Sequence, residues 1–492
     1  MARGILRQPA RSSLLTPARV VVAGFAAAIV VGAALLSLPI ATEGAGGASI
    51  RTAAFTSVSA VTVTGLAAVD TATYWTPFGQ AVILSLVQLG GLGIVTSASL
   101  LIILTTRRVG LRGRLAAQAE TQTADLGGIR RLTGFVVAFS LAVEALVVAA
   151  LTLRLWLGLG RSFEDALWQG LFHGVAAFNQ AGFSLYPNSL IGFATDAYIL
   201  VPIALAVIVA SVGFPVWLEL RREPRTPPRW SLHTKLTLVT TGILLVLGFV
   251  VLTALGWDDA GTFGDESVPG KLLGGFFAAV TARSAGFNSV DYADMGPDSL
   301  FVTDILMFIG GGSASTAGGI KVTTLAILFL IVWAEVRGER EVAAFDRAVP
   351  PATLRQALTI AVIAINAVVL ATLILVASNG LGLSGALFEC ISAFSTTGLS
   401  TGVTGGLNTT GYASVEFDTA ADSFVAARSL GEAARWTREM ERLIATDLPY
   451  VTLFRPAVIE AFDSRVEFPV DAIIGGHGDL PHVWPESVRI RP

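Results

Sequence analysis

The chain has 492 residues, of which 53% are hydrophobic and 14% charged, with a formal net charge of −3 and a mean hydropathy of +0.69. That balance excludes an ordinary soluble domain and indicates an integral membrane protein. One cysteine, Cys390, and four histidines give no disulfide framework and no Cys/His metal cluster. No acid, base and nucleophile converge in the sequence, so an enzyme is not expected and no catalytic residue is assigned.

Apolar runs long enough to cross a hydrocarbon core of about 30 Å fall at residues 18 to 40, 78 to 105, 132 to 157, 197 to 220, 233 to 256, 299 to 334 and 355 to 377. The first follows Arg3, Arg7, Arg11 and Arg19 and exceeds the usual apolar core of a signal peptide, so it is read as a spanning helix. Short loops rich in Arg and Lys stay in the cytoplasm. The N-terminus and the loops at 106 to 131, 221 to 235 and 335 to 355 carry nineteen such bases, which places them and the N-terminus inside. Asp258, Asp259, Asp265, Glu266, Asp291, Asp294 and Asp298 gather on the opposite face.

Between the spans lies a fourfold internal repeat, which takes precedence over any local motif. Gly65, Gly182, Gly286 and Gly398 each follow a phenylalanine by ten residues, namely Phe55, Phe172, Phe276 and Phe388, and the glycines are 117, 104 and 112 residues apart. Ten helical residues rise about 15 Å, so each segment dips to mid-membrane and returns. Irregular backbone at that depth survives only when buried in protein or lining a cavity. The expected architecture is all-α, with four pseudo-symmetric helix, pore-loop, helix repeats around a central pore.

A dehydrated cation needs replacement oxygens, and rings of backbone carbonyls supply them without fixed charge. The expected ion-binding backbone is therefore Val63, Thr64 and Gly65; Gln180, Ala181 and Gly182; Ser284, Ala285 and Gly286; and Thr396, Thr397 and Gly398. Asp70 and Asp291 follow their glycines by five residues and are candidates for the pore mouth, with solvated loop carboxylates as the alternative. Arg283 is a charge at membrane depth that needs a partner; Glu389 and Glu144 are the two candidates. It is read as a structural counter-charge, with a role in selectivity or in pore repulsion as the alternative.

The sixth run is interrupted by Gly310, Gly311, Gly312, Gly318 and Gly319, ending at Lys321. That many glycines do not hold a regular helix. A phosphate-binding loop requires Gly-Lys-Ser/Thr, whereas Ile320 and Val322 flank Lys321 here, so nucleotide binding is rejected. A gating loop inside the cavity is expected, with a passive kink as the alternative.

Thr62 to Leu66, Gln88 to Gly93, Arg283 to Ser289, the loop 310 to 321 and Ser395 to Gly402 together resemble the Trk/Ktr/HKT superfamily of potassium transporters. The likeness covers about residues 15 to 402 and is strongest to the Ktr-type membrane subunit. It implies potassium uptake across the plasma membrane, sodium as a coupling ion in some members, and no covalently bound cofactor. It also implies a homodimer in membrane lipid, seated on a cytosolic nucleotide-binding regulatory ring, with no nucleic acid partner. Glycine in all four repeats fits the potassium-selective pattern of that family.

The segments that follow are a cytoplasmic N-terminus at 1 to 17, repeats at 18 to 108, 132 to 222 and 232 to 335, and a partial repeat at 354 to 402. Residues 403 to 492 form a polar, acidic tail without the expected eighth span, since charges and prolines break its best apolar stretch at 443 to 462. The tail resembles the end of an extracellular solute-binding protein and is expected outside the cell. Two alternative functions follow from it: a truncated or chimeric non-conducting product, and a membrane-anchored solute-binding protein.

Overall fold

The computed structural model describes residues 17–44, 46–107, 126–339, 341–379, 381–406, 466–467 and 489–490. The chain divides into two units, Met1–Ala413 and Ser414–Pro492. Of the second, one antiparallel pairing is described, Val466–Glu467 with Arg489–Ile490. The solute-binding resemblance, the missing eighth span and Arg3, Arg7, Arg11, Arg108, Arg112 and Arg114 lie outside the described residues.

The first unit is almost wholly helical. Its elements are α1 (Pro17–Leu36), α2 (Ile50–Val61), α3 (Thr71–Tyr74), α4 (Pro77–Arg107), α5 (Leu126–Leu153), α6 (Phe163–Asn179), α7 (Ala197–Val212), α8 (Phe214–Arg222) and α9 (Leu232–Leu255). They are followed by α10 (Val268–Thr281), α11 (Pro297–Phe308), α12 (Val322–Arg337), α13 (Pro351–Asn379), α14 (Leu383–Phe394) and α15 (Val403–Gly406). The stretches Thr133–Gly158, Leu232–Leu255 and Pro351–Ser378 are each long and apolar enough to cross a membrane. Val246, Leu247, Leu370, Leu373 and Ile374 on these helices are exposed, the pattern of side chains solvated by hydrocarbon.

The short helices α2, α6, α10 and α14 end at the four glycine turns. Ser49, Ser162 and Ser267 cap the first three by accepting a backbone N–H from Thr52, Asp165 and Gly270, which satisfies amides that a helix start leaves bare. Each packs on the span before it. A Cβ at Gly170 or Gly275 would stand 2.4 Å from the Thr152 hydroxyl and 1.9 Å from the Thr253 hydroxyl, so only hydrogen at those positions allows α6 on α5 and α10 on α9.

The phenylalanine of the repeat does not do the same work throughout. Phe172 and Phe388 are fully buried, Phe276 is partly buried, and Phe55 is 36% exposed. Position in the repeat is shared; packing is not.

Two departures from the expected spans matter for the site. The fourth run is not one helix: α7 and α8 meet at 87° around Gly213, whose φ is +96°, with Pro215 starting the new helix. The loop after the sixth span contains a hairpin, β1 (Ala343–Ala344) against β2 (Arg347–Ala348), turned by Phe345 and Asp346, both at positive φ.

Candidate functional site: a closed ring of four turns

All four helix ends pass through a left-handed residue as they leave the α conformation. The residue two before each glycine is left-handed, with φ of +57° at Val63, +61° at Gln180, +74° at Ser284 and +48° at Thr396. The glycines follow at +81°, +65°, +76° and +92°. In the first, second and fourth turns the next amide reaches back five residues: Thr64 to the Ser59 carbonyl at 2.8 Å, Ala181 to Ala176 at 2.8 Å and Thr397 to Ser392 at 2.9 Å. This is a helix C-cap of the six-to-one kind, normally completed by glycine in the left-handed position. Here valine and threonine occupy it, a costly conformation for β-branched residues. The left-handed residue recurs at the same place in all four turns, at Gln180 and Ser284 as well.

The turns close on one another in cyclic order. A Cβ at Gly65 would stand 2.1 Å from the Ala181 carbonyl oxygen, at Gly182 3.2 Å from that of Ala285, at Gly286 2.2 Å from that of Thr397, and at Gly398 2.5 Å from that of Thr64. Each glycine thus lies against the residue before the glycine of the next turn, and the fourth returns to the first. Eight of the twelve residues named from the sequence, the four glycines and the residue before each, meet in this ring, and Val63, Gln180, Ser284 and Thr396 precede them in the chain.

The second helix pair explains the Gln88–Gly93 run. A Cβ at Gly90 would lie 2.2 Å from the Val61 carbonyl and one at Gly91 1.9 Å from Asn179 Oδ1. Residues 90 and 91 therefore let α4 rest on the ends of α2 and α6, where the first and second turns begin.

Residues 310 to 321 break the sixth span and fold back on themselves. Gly310 N–H donates to the Ile320 carbonyl at 2.9 Å, and Ile320 N–H to that of Phe308 at 3.0 Å. The loop is anchored on the third turn and on the end of α6: Gly318 N–H donates to Ser284 Oγ at 2.8 Å, and Thr316 Oγ1 donates to the Phe178 carbonyl at 3.3 Å. A Cβ at Gly318 would stand 2.2 Å from the Ser395 carbonyl. Its other side fills the bend of the fourth span, where Gly312 N–H donates to Ser211 at 2.7 Å and Phe214 N–H to Ala314 at 3.2 Å. Lys321 Nζ donates to the Ala317 carbonyl within the loop.

Arg283 has neither of the partners expected for it. Its Nη2 donates to the Gly310 carbonyl at 3.2 Å, and among the described residues it makes no ion pair. Glu389 instead accepts from Ser400 Oγ at 2.7 Å, from Thr401 N–H at 3.0 Å and from Thr404 Oγ1, holding the strand that leaves the fourth turn. Glu144 is held by Gln88 and Asn179. A buried guanidinium found a carbonyl freed by the broken helix, a partner that no carboxylate search would reveal.

Asp70 accepts from Ala72 N–H and Asp291 from Ala293 N–H, both at 2.9 Å. Each carboxylate braces the chain just past its turn, and Asp70 caps α3. Among the described residues no group of three His, Cys, Asp or Glu side chains is placed to hold a metal ion.

Residues 26–416 match the TrkH family, described as cation transport protein. The Ktr system potassium uptake protein B of Bacillus subtilis is 38% identical over 396 residues, covering 80% of this chain and 88% of the relative. That of Vibrio alginolyticus is 34% identical, covering 80% and 86%. The potassium/sodium uptake protein NtpJ of Enterococcus hirae is 31% identical, covering 79% and 86%. The crystal structure of the potassium transporter TrkH from Vibrio parahaemolyticus superposes with a TM-score of 0.58 at 18% identity, over 80% of this chain and 86% of that one, a likeness of fold. The chain therefore belongs to the TrkH family of cation transport proteins, a family of transporters and not of enzymes.

Proposed function

We propose that the chain takes up potassium across the plasma membrane through the ring of four turns. The observation that carries this reading is the cyclic closure of Gly65 on Ala181, Gly182 on Ala285, Gly286 on Thr397 and Gly398 on Thr64. A closed ring of backbone offers carbonyl oxygens from four sides of one axis, the arrangement that replaces the water around a cation. The names of the relatives favour potassium, and the name of the Enterococcus relative makes sodium a reasonable coupling ion.

In this reading Val63 to Gly65, Gln180 to Gly182, Ser284 to Gly286 and Thr396 to Gly398 select the ion, and the loop 310 to 321 gates it. The loop's bonds to Ser284 and Phe178 support a position against the ring, where Lys321 competes electrostatically with the passing cation. Asp70 and Asp291 raise the local cation concentration at the mouth. The N-terminus faces the cytoplasm, and two copies assemble on a cytosolic nucleotide-binding ring, as the family resemblance implies.

Growth of a potassium-uptake-deficient bacterium on limiting potassium tests the reading. The wild-type chain restores growth and Gly286→Arg does not, with both present in the membrane. Failure of the wild type would return the choice to a non-conducting product.

A further inference from the structure

Behind the second turn stands a carboxylate that pairs with no basic side chain among the described residues. Glu144, midway along α5, is 4% exposed. Its Oε1 and Oε2 accept from Gln88 Nε2 at 3.1 and 3.2 Å, and Oε1 also accepts from Asn179 Nδ2 at 3.2 Å. Asn179 Nδ2 also lies 2.8 Å from Gln88 Oε1 and 3.0 Å from the Val175 carbonyl, its two hydrogens shared among the three acceptors. Three side chains from three helices thus form one cluster. Asn179 is the last residue of α6, and the next residue is Gln180, the left-handed member of the second turn.

Amides orient a carboxylate but do not cancel its charge. Among the described residues Glu144 has no ion pair, and a charge at membrane depth is retained where it has a partner. No basic side chain among the described residues pairs with it, and a cation held beside the second turn is the partner this placement favours. We propose that Glu144 is the buried counter-charge of the cation in the ring, acting through space on the second turn while Asn179 ties that turn to the carboxylate. Glu144 is thus a positioning and electrostatic residue, with no direct contact to the ion. Gly91 serves the same cluster, since any side chain there would displace Asn179. This inference rests on the reading that the ring holds potassium.

The test is rubidium uptake, with potassium competition, in cells expressing wild type, Glu144→Gln, Glu144→Asp and the exchange Gln88→Glu/Glu144→Gln, normalised to chain in the membrane. Glu144→Gln keeps the shape and loses the charge. It is expected to raise KM for potassium about tenfold with maximal rate within about twofold, the scale of one unit charge acting across a poorly screening interior. Glu144→Asp and the exchange keep a carboxylate in the cluster and are expected to bring KM back to within about threefold of wild type. An unchanged KM in Glu144→Gln, or a raised KM that the exchange does not restore, overturns the counter-charge. Absence of both Glu144→Gln and the exchange from the membrane also overturns it, leaving a folding element. No uptake by the wild type overturns the ring reading as well, so the two failures are distinguishable.

Discussion

Ser284 joins the ring to the glycine-rich loop: its hydroxyl accepts the Gly318 N–H at 2.8 Å and lies 3.1 and 3.2 Å from the carbonyl oxygens of Ser395 and Thr396. One hydroxyl therefore links the third turn, the fourth turn and the loop. Because the hydroxyl has a single hydrogen, it donates to one carbonyl at a time while accepting from the loop.

Ser284→Ala removes that link and leaves the Gly318 amide without its acceptor. An unpaired buried amide costs about 1–3 kcal/mol, which disfavours the docked loop. Resting uptake of rubidium is expected to rise about 2- to 10-fold at an unchanged KM, within the shift that such an energy allows. Flux assays on wild type and variant at several rubidium concentrations check this.

Gly213→Ala addresses the bend that receives the loop. The added Cβ would stand 2.5 Å from the Ser313 carbonyl, at a φ of +96°. The strain, about 1–3 kcal/mol, is expected to lower the melting temperature of the detergent-solubilised protein and to increase cleavage by a protease directed at a site inserted in loop 310 to 321. A substitution at Gly242, where nothing lies within 4 Å of a Cβ, serves as the control and leaves both unchanged.

Glu389→Ala leaves Ser400, Thr401 and Thr404 without their shared acceptor. Leaving a buried donor without its acceptor costs about 1–3 kcal/mol. Because the loosened strand begins directly after Gly398, potassium selectivity is expected to weaken. Sodium should inhibit rubidium uptake at a concentration about tenfold lower than in wild type, the equivalent of about 1.4 kcal/mol at one turn.

The repeat was legible because it is local: phenylalanine, ten residues, glycine is written four times along the chain. Hydropathy marked the runs at 132 to 157, 233 to 256 and 355 to 377, which coincide with the long apolar helices Thr133–Gly158, Leu232–Leu255 and Pro351–Ser378. What lay beyond reach are relations that join distant segments. The strained residue two before each glycine has no side-chain signature, since Val63, Gln180, Ser284 and Thr396 share no chemistry, only a backbone angle. The bend at Gly213 did leave a sign, a glycine followed closely by Pro215 within an apolar run, but the loop that fills it lies a hundred residues further on. Arg283 illustrates the limit most clearly. Charge pairing predicts a carboxylate, whereas the broken sixth span exposes the Gly310 carbonyl, an acceptor available only once the loop has folded.

Rubidium uptake into vesicles reconstituted with the purified chain, wild type beside Gly286→Ala, reads out whether the ring of four turns conducts and selects potassium. The added methyl would stand 2.2 Å from the Thr397 carbonyl at a φ of +76°, combining a left-handed penalty of about 1–2 kcal/mol with overpacking of about 1–3 kcal/mol. For a potassium-selective ring, wild-type uptake is suppressed by potassium and not by equimolar sodium, and is reduced at least about tenfold in the variant. Equal uptake by the two, or none by the wild type, would contradict it.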